Sequence, residues 1–242
     1  MLLSDLFNQL TFGELSQIKL GGAEASGITK ENQLQMLQHV NAGLTELHTR
    51  FHLKEGTLRV ALDPSLDTYV LSKKYAVGNR ESRAPVKYIL DSFAQPFEDT
   101  VLKIERVYDE QGRELELNTS TDRSNRLSQV LRTPGLNTLV VPPALNATQL
   151  TVIYRANHPR IIKEDNSFDP QEVELDLAPQ YENALLLYIA SRVFNPIGLN
   201  QEFHDGNNYW AKFEGACANI GTLGLELNKT AEVDRVERNG WA

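Results

Sequence analysis

Three histidines in the first quarter of the chain have a spacing that is compatible with metal chemistry. His48 and His52 lie four positions apart near the end of a predicted helix, and His39 precedes His48 by nine positions. Two histidines one helical turn apart can share a metal ion, but a zinc protease also needs a glutamate beside the first one, where Thr49 stands. Because the helix dipole alone favours histidine near a C-terminus, we predict no metal site.

Three other patterns fall short of a catalytic motif. The glycine-rich loop at 22–29 has the glycine spacing of a phosphate loop, but Ile28 stands where a lysine must reach the terminal phosphates. Cys217 falls on the apolar side of a predicted helix, as a small buried hydrophobe does. Glu114 and Glu116 share one face of a predicted strand and are expected to be solvated. The sequence therefore predicts a protein that is not an enzyme, with no catalytic residue, no cofactor and no metal.

The charge and composition narrow the classes of function further. The 242 residues include 24 basic and 32 acidic side chains, and the formal net charge is -8. Non-specific binding to the outside of a duplex depends on Lys and Arg that replace counterions, so an acidic chain is not expected to bind DNA tightly, although it can surround DNA. The single cysteine excludes an internal disulfide. No apolar run reaches the roughly 20 residues that a membrane-spanning helix needs.

Apolar residues spaced three and four apart predict three long helices. Their ranges are 30–52, 179–194 and 201–223, and a shorter leucine-rich helix is predicted at 2–10. Arg192 lies among apolar residues, where an arginine commonly pairs with an acid inside the protein or at an interface. The residues of the apolar stripes are expected to be buried where the helices pack: Leu37, Leu44, Leu47, Tyr188, Trp210 and Phe213.

The stretch between the two helical regions has the pattern of strands. Leu58, Val60 and Leu62 alternate with other side chains, which is the period of a half-buried strand. Similar alternation, interrupted by turn-forming residues, continues to about residue 160. Pro85 is suited to the first position of a helix, so a short helix is also predicted at 85–92.

These patterns predict an α+β fold with a helical-bundle core built from N- and C-terminal helices. The bundle comprises residues 1–55 and 171–224, and a β-rich insert comprises residues 56–170. Residues 225–242 are predicted to form an extended C-terminal tail, because they contain too few apolar side chains to fold alone. Trp241 is an unusual residue for a purely solvated tail, since tryptophan is enriched at interface hot spots.

Two segments together have a pattern that is shared with a known class of protein. The first, at 31–51, follows a leucine-rich helix and a glycine loop and contains the run Val-Asn-Ala-Gly-Leu. The second contains an apolar helix over 177–194 that ends in Ser-Arg192, and it is followed by a helix with Tyr-Trp210 and Phe213. In this arrangement the chain resembles the head-to-tail adaptors of tailed phages, which are the connector or neck rings beneath the portal.

The resemblance implies a structural protein of the virion. It implies a ring of about twelve copies at the head–tail junction, made in the host cytoplasm, that joins the portal protein to a tail or nozzle protein. Genomic DNA would pass through the lumen without specific binding, and no membrane would be involved. In such adaptors C-terminal tails commonly reach the portal. Arg235, Arg238 and Trp241 are therefore expected to contact the portal or an adjacent copy.

Two other classes of function stay open at the level of the sequence. One is a soluble α+β enzyme or a carbohydrate-binding module, and the other is a different phage part such as a tail-completion or baseplate protein. Rings, or monomers that assemble on a portal, would favour the adaptor. A compact monomer that turns over a substrate would favour the enzyme.

Overall fold

The computed structural model describes most of the chain, and it divides the chain into two compact units. The helical unit contains Met1–Leu53 and Arg160–Ala242, and the β unit contains Lys54–Pro159. Each unit has a hydrophobic core of its own. The described residues are 1–16, 28, 32–92, 94–118, 130–163, 168–194 and 201–224.

The described part of the helical unit contains four helices, and the third lies at its centre. The helices are α1 at Leu3–Phe12, α2 at Gln33–Arg50, α3 at Glu182–Val193 and α4 at Gln201–Thr222. Helices α1, α2 and α4 all pack against α3. Every residue of α3 from Ala184 to Ser191 is buried, because a helix that is apolar on all sides must be surrounded by other elements.

Most of the expected core residues of the helices are buried. Leu37, Leu44 and Leu47 on α2 are at most 2% exposed, and Phe213 on α4 is fully buried. The ring centroids of Phe213 and Tyr188 are 5.4 Å apart in an edge-to-face arrangement, which aromatic rings favour. Trp210 is half-buried, so its expected burial is only partly correct.

The described part of the β unit contains two antiparallel sheets. In the larger sheet four strands lie side by side in the order β1 (Glu55–Ala61), β7 (Gln149–Ala156), β3 (Val101–Tyr108) and β4 (Glu114–Leu115). In the smaller sheet the order is β2 (Thr68–Val70), β6 (Thr138–Val140) and β5 (Arg132–Gly135). Because strands that are distant in the sequence pair with each other, the core of this unit is formed by segments that are far apart in the chain.

Strand β7 is one of the two inner strands of the larger sheet, and one of its faces packs on the core. Its eight side chains alternate between half-buried and buried along the whole strand, which is the period of a strand with one face on a core. Its register with β1 is continuous from Glu55 opposite Arg155 to Ala61 opposite Gln149. Its register with β3 has two shifts, and such irregularities increase the local twist of a sheet.

The structure corrects the predicted fold class. The sequence analysis predicted a helical-bundle core made from N- and C-terminal helices, with a β-rich insert and an extended tail. That prediction is wrong, because the β-rich part in the middle of the chain is a core in its own right. The described chain is an α+β protein with four helices and two antiparallel sheets. The two sheets bury enough apolar side chains, among them Val60, Leu139 and Val152, to form an independent core.

Residues 85–92 form no helix, and the short helix predicted there is wrong. Ile89 forms bridges with Val60 and Ala76, so both sides of its backbone are engaged by neighbouring segments. The Tyr88 hydroxyl donates a hydrogen bond of 3.0 Å to the Val70 carbonyl, and burial raises the pKa of Tyr88 to about 12. These non-local contacts outweigh the local preference of Pro85 for a helix start.

Gly43 tests the packing of α2 against α3. A Cβ atom at this position would lie 2.7 Å from Leu185 Cδ1 and 2.9 Å from Tyr188 Cδ1. We expect Gly43→Ala to lower the free energy of unfolding by about 1–3 kcal/mol, because overpacking of buried side chains outweighs the gain in helix propensity. Urea unfolding of the full chain, followed by far-UV circular dichroism, measures the change.

Gly215→Ala on α4 is the matched control for Gly43→Ala. Nothing lies within 4 Å of a Cβ atom at Gly215, so the same substitution is expected to raise the free energy of unfolding by up to about 1 kcal/mol. If both variants stabilised the chain equally, the close approach of α2 and α3 at Gly43 would be contradicted.

Candidate functional site

The residues predicted to contact a portal lie outside the described residues. Arg235, Arg238 and Trp241 belong to the segment 225–242, none of which the structure describes. Their role and the extended tail therefore stay predictions. Two surfaces within the described units have the composition of a binding site, one on each unit.

The first surface lies on the helical unit, where Arg50 at the end of α2 meets α4. The Arg50 guanidinium donates two parallel hydrogen bonds to the Glu214 carboxylate, from Nη1 to Oε2 and from Nη2 to Oε1, each 2.7 Å long. A further bond from Arg50 Nε to Glu46 Oε1 is 2.6 Å long. Two-pronged contacts of this kind fix relative orientation as well as distance, so Arg50 links α2 to α4 in one defined geometry.

Two guanidinium groups lie over the ring of Trp210. Arg50 Cζ is 5.8 Å and Arg192 Cζ is 5.3 Å from the ring centroid, and Arg192 Cζ is 5.1 Å from the centroid of Tyr188. Arg192 is exposed, and among the described residues it contacts aromatic rings; its pairing with an acid at an interface stays a prediction. A cation–π contact positions a cation without neutralising it. We call Arg50, Tyr188, Arg192, Trp210 and Glu214 the Arg–Trp surface.

The ion pair changes the titration of neighbouring groups. The hydrogen bonds between the two side chains lower the pKa of Glu214 and raise the pKa of Arg50. Burial raises the pKa of the Cys217 thiol to about 11, so this thiol is protonated at neutral pH. Because the thiolate is the nucleophilic form, Cys217 acts as the buried hydrophobe that its position on the apolar stripe predicted.

The sequence analysis missed the pair of Arg50 and Glu214. The two residues are separated by 164 positions, and no local spacing pattern connects residues so far apart. The spacing of four between Glu46 and Arg50 was the only available signal, since such pairs face each other on a helix. That spacing alone indicates a solvated helix face and says nothing about α4.

The histidine and carboxylate candidates do not gather into a catalytic or metal-binding cluster within the described residues. No group of three or more His, Cys, Asp or Glu side chains there could hold a metal ion. His48 is buried, and burial together with the charge of Arg192 lowers the pKa of His39. Glu114 and Glu116 are exposed, as expected. The loop at 22–29 lies outside the described residues apart from Ile28.

The second surface is a groove of about 620 Å³ beside β1 in the β unit. Asp91 links two segments of the chain beside the groove, because its carboxylate accepts hydrogen bonds from the N–H groups of Gly78 at 2.6 Å and Phe97 at 3.1 Å. The rings of Phe97 and Tyr154, with centroids 6.3 Å apart, form an edge-to-face pair in the lining. Since backbone donors engage both Asp91 oxygens, this carboxylate has a structural role.

The groove runs along the outer edge of β1, part of which is covered by hydrogen bonds to residues 88–90. The Ala61 N–H donates to the Tyr88 carbonyl and the Leu90 N–H donates to the Arg59 carbonyl, each at 2.8 Å. Thr57, two residues before Arg59, has no such backbone partner within the described residues, and it lines the groove together with Arg59 and Leu90. Within the described part of the chain, the outer edge of β1 is thus partly open, and an open strand edge can accept another extended segment.

Comparisons with known proteins do not connect this chain to a family. No protein-family model matches it, and no curated protein is significantly similar to it. In the parts of the chain that the structure describes, no helix combines the length and the apolar character that crossing a membrane requires. The segments that carry the resemblance noted above fall largely on α2, α3 and α4.

Glu214→Gln tests the ion pair through its pH dependence. At neutral pH the free energy of unfolding of the variant is expected to be lower by about 1 kcal/mol or less, because exposed ion pairs contribute little to stability. The folded-state pKa of Glu214 lies below the ordinary value of 4.5, so its stabilising contribution is present above pH 4.5 and is lost as the pH falls through the folded-state pKa. The stability difference from wild type, measured by urea unfolding, should therefore disappear in acid.

Glu172→Gln is the control for this experiment. Glu172 is exposed in the same unit and lies outside the Arg–Trp surface. Its substitution is expected to leave the free energy of unfolding unchanged at every pH. The same pH dependence in both variants would contradict the assignment to the pair of Arg50 and Glu214.

Proposed function

We propose that the chain is a head-to-tail adaptor of a tailed phage. Copies of it assemble into a ring of about twelve subunits at the head–tail junction of the virion. The portal protein and a tail or nozzle protein bind this ring, and genomic DNA passes through its lumen without sequence-specific binding. In this role the protein is a structural connector and not an enzyme.

The Arg–Trp surface is the observation that carries this proposal. It lies on α2, α3 and α4, which are the helices whose sequence resembles adaptors, and it presents the exposed Arg192 beside the half-buried Trp210. Arginine and tryptophan are among the residue types enriched at interfaces and at their hot spots. The chain has a net charge of -8, so the surface of a second copy offers the carboxylates that complement these cations.

Exposed apolar side chains on the helical unit support self-assembly. Phe12, the last residue of α1, is 83% exposed, and Leu34, Ile162 and Leu223 are each more than half exposed. Burial of such side chains against a neighbouring copy contributes roughly 25 cal/mol for each Å² of apolar surface removed from water. A ring interface on this unit would thus combine apolar contacts with the charges of the Arg–Trp surface.

The groove in the β unit favours a second candidate function, a carbohydrate-binding module. The largely buried rings of Phe97 and Tyr154 form part of its wall, while Gln95 and Asn157 supply amide groups. Small-molecule sites combine apolar and aromatic walls with a few placed polar groups in this way. A protein of this kind would bind sugars as a monomer, whereas an adaptor would assemble.

Arg192→Glu tests the proposed ring interface. We expect the wild type to form rings in native mass spectrometry and negative-stain images, alone or on portal particles, and the variant to stay monomeric, because like charges then meet across the interface. Arg132→Glu, at an exposed position on β5, changes the charge equally and should assemble like the wild type. Monomers of the wild type that do not assemble on portals, or rings of Arg192→Glu, would refute the proposed interface.

Truncation after Leu225 tests the predicted role of the C-terminal tail. The fold and its melting temperature should be nearly unchanged, while binding to portal rings, measured by co-sedimentation, should weaken at least about tenfold through loss of an anchor residue. Within the intact chain, joint replacement of Arg235, Arg238 and Trp241 by Ala should have the same effect. Lys229→Ala in the same segment is the control, and unaltered portal binding by the truncated chain would exclude this role.

A further inference from the structure

A basic segment in the β unit is separate from both surfaces described above. Residues 73–87 contain five of the 24 basic side chains but only one of the 32 acidic side chains of this acidic protein. A local excess of Lys and Arg attracts polyanions even where the net charge of the whole chain is negative. The five basic residues are Lys73, Lys74, Arg80, Arg83 and Lys87.

Three of these cations line one shallow depression of about 630 Å³, together with Ser72, Asn79 and Ala84 among others. Lys73, Lys74 and Arg83 are all exposed. Within the described residues, none of the three belongs to an ion pair. The Lys74 ammonium lies 5.4 Å from the centroid of the Tyr75 ring, a contact that leaves its charge intact. We call this site the basic depression.

Hydrogen bonds hold the backbone of the basic depression in place. The Asn79 side-chain amide donates to the Lys73 carbonyl at 3.0 Å, and the Ser82 hydroxyl donates to the Lys74 carbonyl at 2.5 Å. The Lys73 N–H donates to Asp99 Oδ1 at 2.5 Å. Asp99 has a φ of 30°, a strained value for a residue other than glycine, and strain of this kind concentrates at functional sites.

The lining favours phosphate groups over a protein partner. Ala84 is the one apolar residue among those that line the basic depression, whereas a protein–protein interface has an apolar core and is depleted in lysine. Lysine, arginine, serine and asparagine are the side chains that contact phosphates in nucleic-acid complexes. Glu81 and Asp99 also line the depression, so its excess of positive charge is small and suits weak, reversible contact.

We propose that the basic depression binds the phosphodiester backbone of double-stranded DNA, weakly and without sequence specificity. The choice of duplex DNA among phosphate polymers rests on the proposed function, in which the genome passes this protein. The anion site itself rests only on the charges and contacts of residues 72–84 and Asp99. A weak electrostatic contact of this kind guides a duplex past an otherwise acidic surface and releases it as salt competes.

Fluorescence anisotropy of a labelled random-sequence DNA duplex, titrated with the purified full chain, tests this proposal without portal or tail proteins. The wild type should bind at low salt, and the logarithm of its affinity should fall with the logarithm of salt with a slope of about -0.9 for each phosphate neutralised. The variant with Lys73→Gln, Lys74→Gln and Arg83→Gln should bind at least about tenfold more weakly, with a slope smaller in magnitude by about 3.

A variant with Lys103→Gln, Arg132→Gln and Lys212→Gln is the matched control. It removes the same charges from exposed positions outside the basic depression and should bind DNA like the wild type. Circular dichroism and thermal melting of both variants should match those of the wild type. Absence of wild-type binding at low salt, or equal weakening by the two triple variants, would overturn the proposal.

Competition by poly-glutamate distinguishes a site for phosphate groups from a site for an acidic protein. Poly-glutamate should compete with the duplex less effectively than unlabelled DNA of equal charge, and more effective competition by poly-glutamate would overturn the proposal. Because the assay reads DNA binding directly, it is independent of ring assembly. A chain that forms no rings but binds DNA through the basic depression would count against the proposed function and leave this inference standing.

Discussion

The pairing of β1 with β7 is the constraint on which the rest of the chain depends. Glu55 lies opposite Arg155, and the Ala156 N–H donates to the Lys54 carbonyl at 2.9 Å, so the chain enters and leaves the β unit at adjacent points. The helical unit is built from residues on both sides of that unit, yet they share one hydrophobic core. β1 and β7 are the first and the last strand of the β unit, and they pair with each other. The two chain segments that flank this unit, although separated by more than a hundred positions, can therefore meet and form that core.

Sequence periodicity reveals which face of an element is apolar, but it does not reveal what that face meets. The stripe on α2 and the alternation along β7 were visible because both follow from local geometry. The independence of the β-rich core was not visible, since it depends on pairing between strands as distant as β1 and β7. The absence of a helix at residues 85–92 has the same origin, because the bridges of Ile89 to Val60 and Ala76 override the local preference of Pro85.

The candidate sites differ in how much of each could be inferred from sequence. The pairing of Arg50 with Glu214, and the approach of Arg192 to Trp210, depend on how helices pack, and composition does not determine this. The basic depression has a sequence signal, five cations within residues 73–87, which the negative net charge obscured. The tail residues Arg235, Arg238 and Trp241 were inferred from composition and resemblance alone, and they lie outside the described residues.

The adjacency of the two ends of the β unit also determines how that unit responds to mechanical force. Tension applied between Lys54 and Asn157 pulls on neighbouring ends of two antiparallel strands, whose hydrogen bonds lie perpendicular to the strands. The bonds between β1 and β7 are then loaded one pair at a time, starting beside Glu55 and Arg155, and the strands unzip. Strands pulled from opposite ends would instead share the load among all their bonds. The β unit is therefore compliant toward tension transmitted through its own chain connections, and it yields in steps at low force.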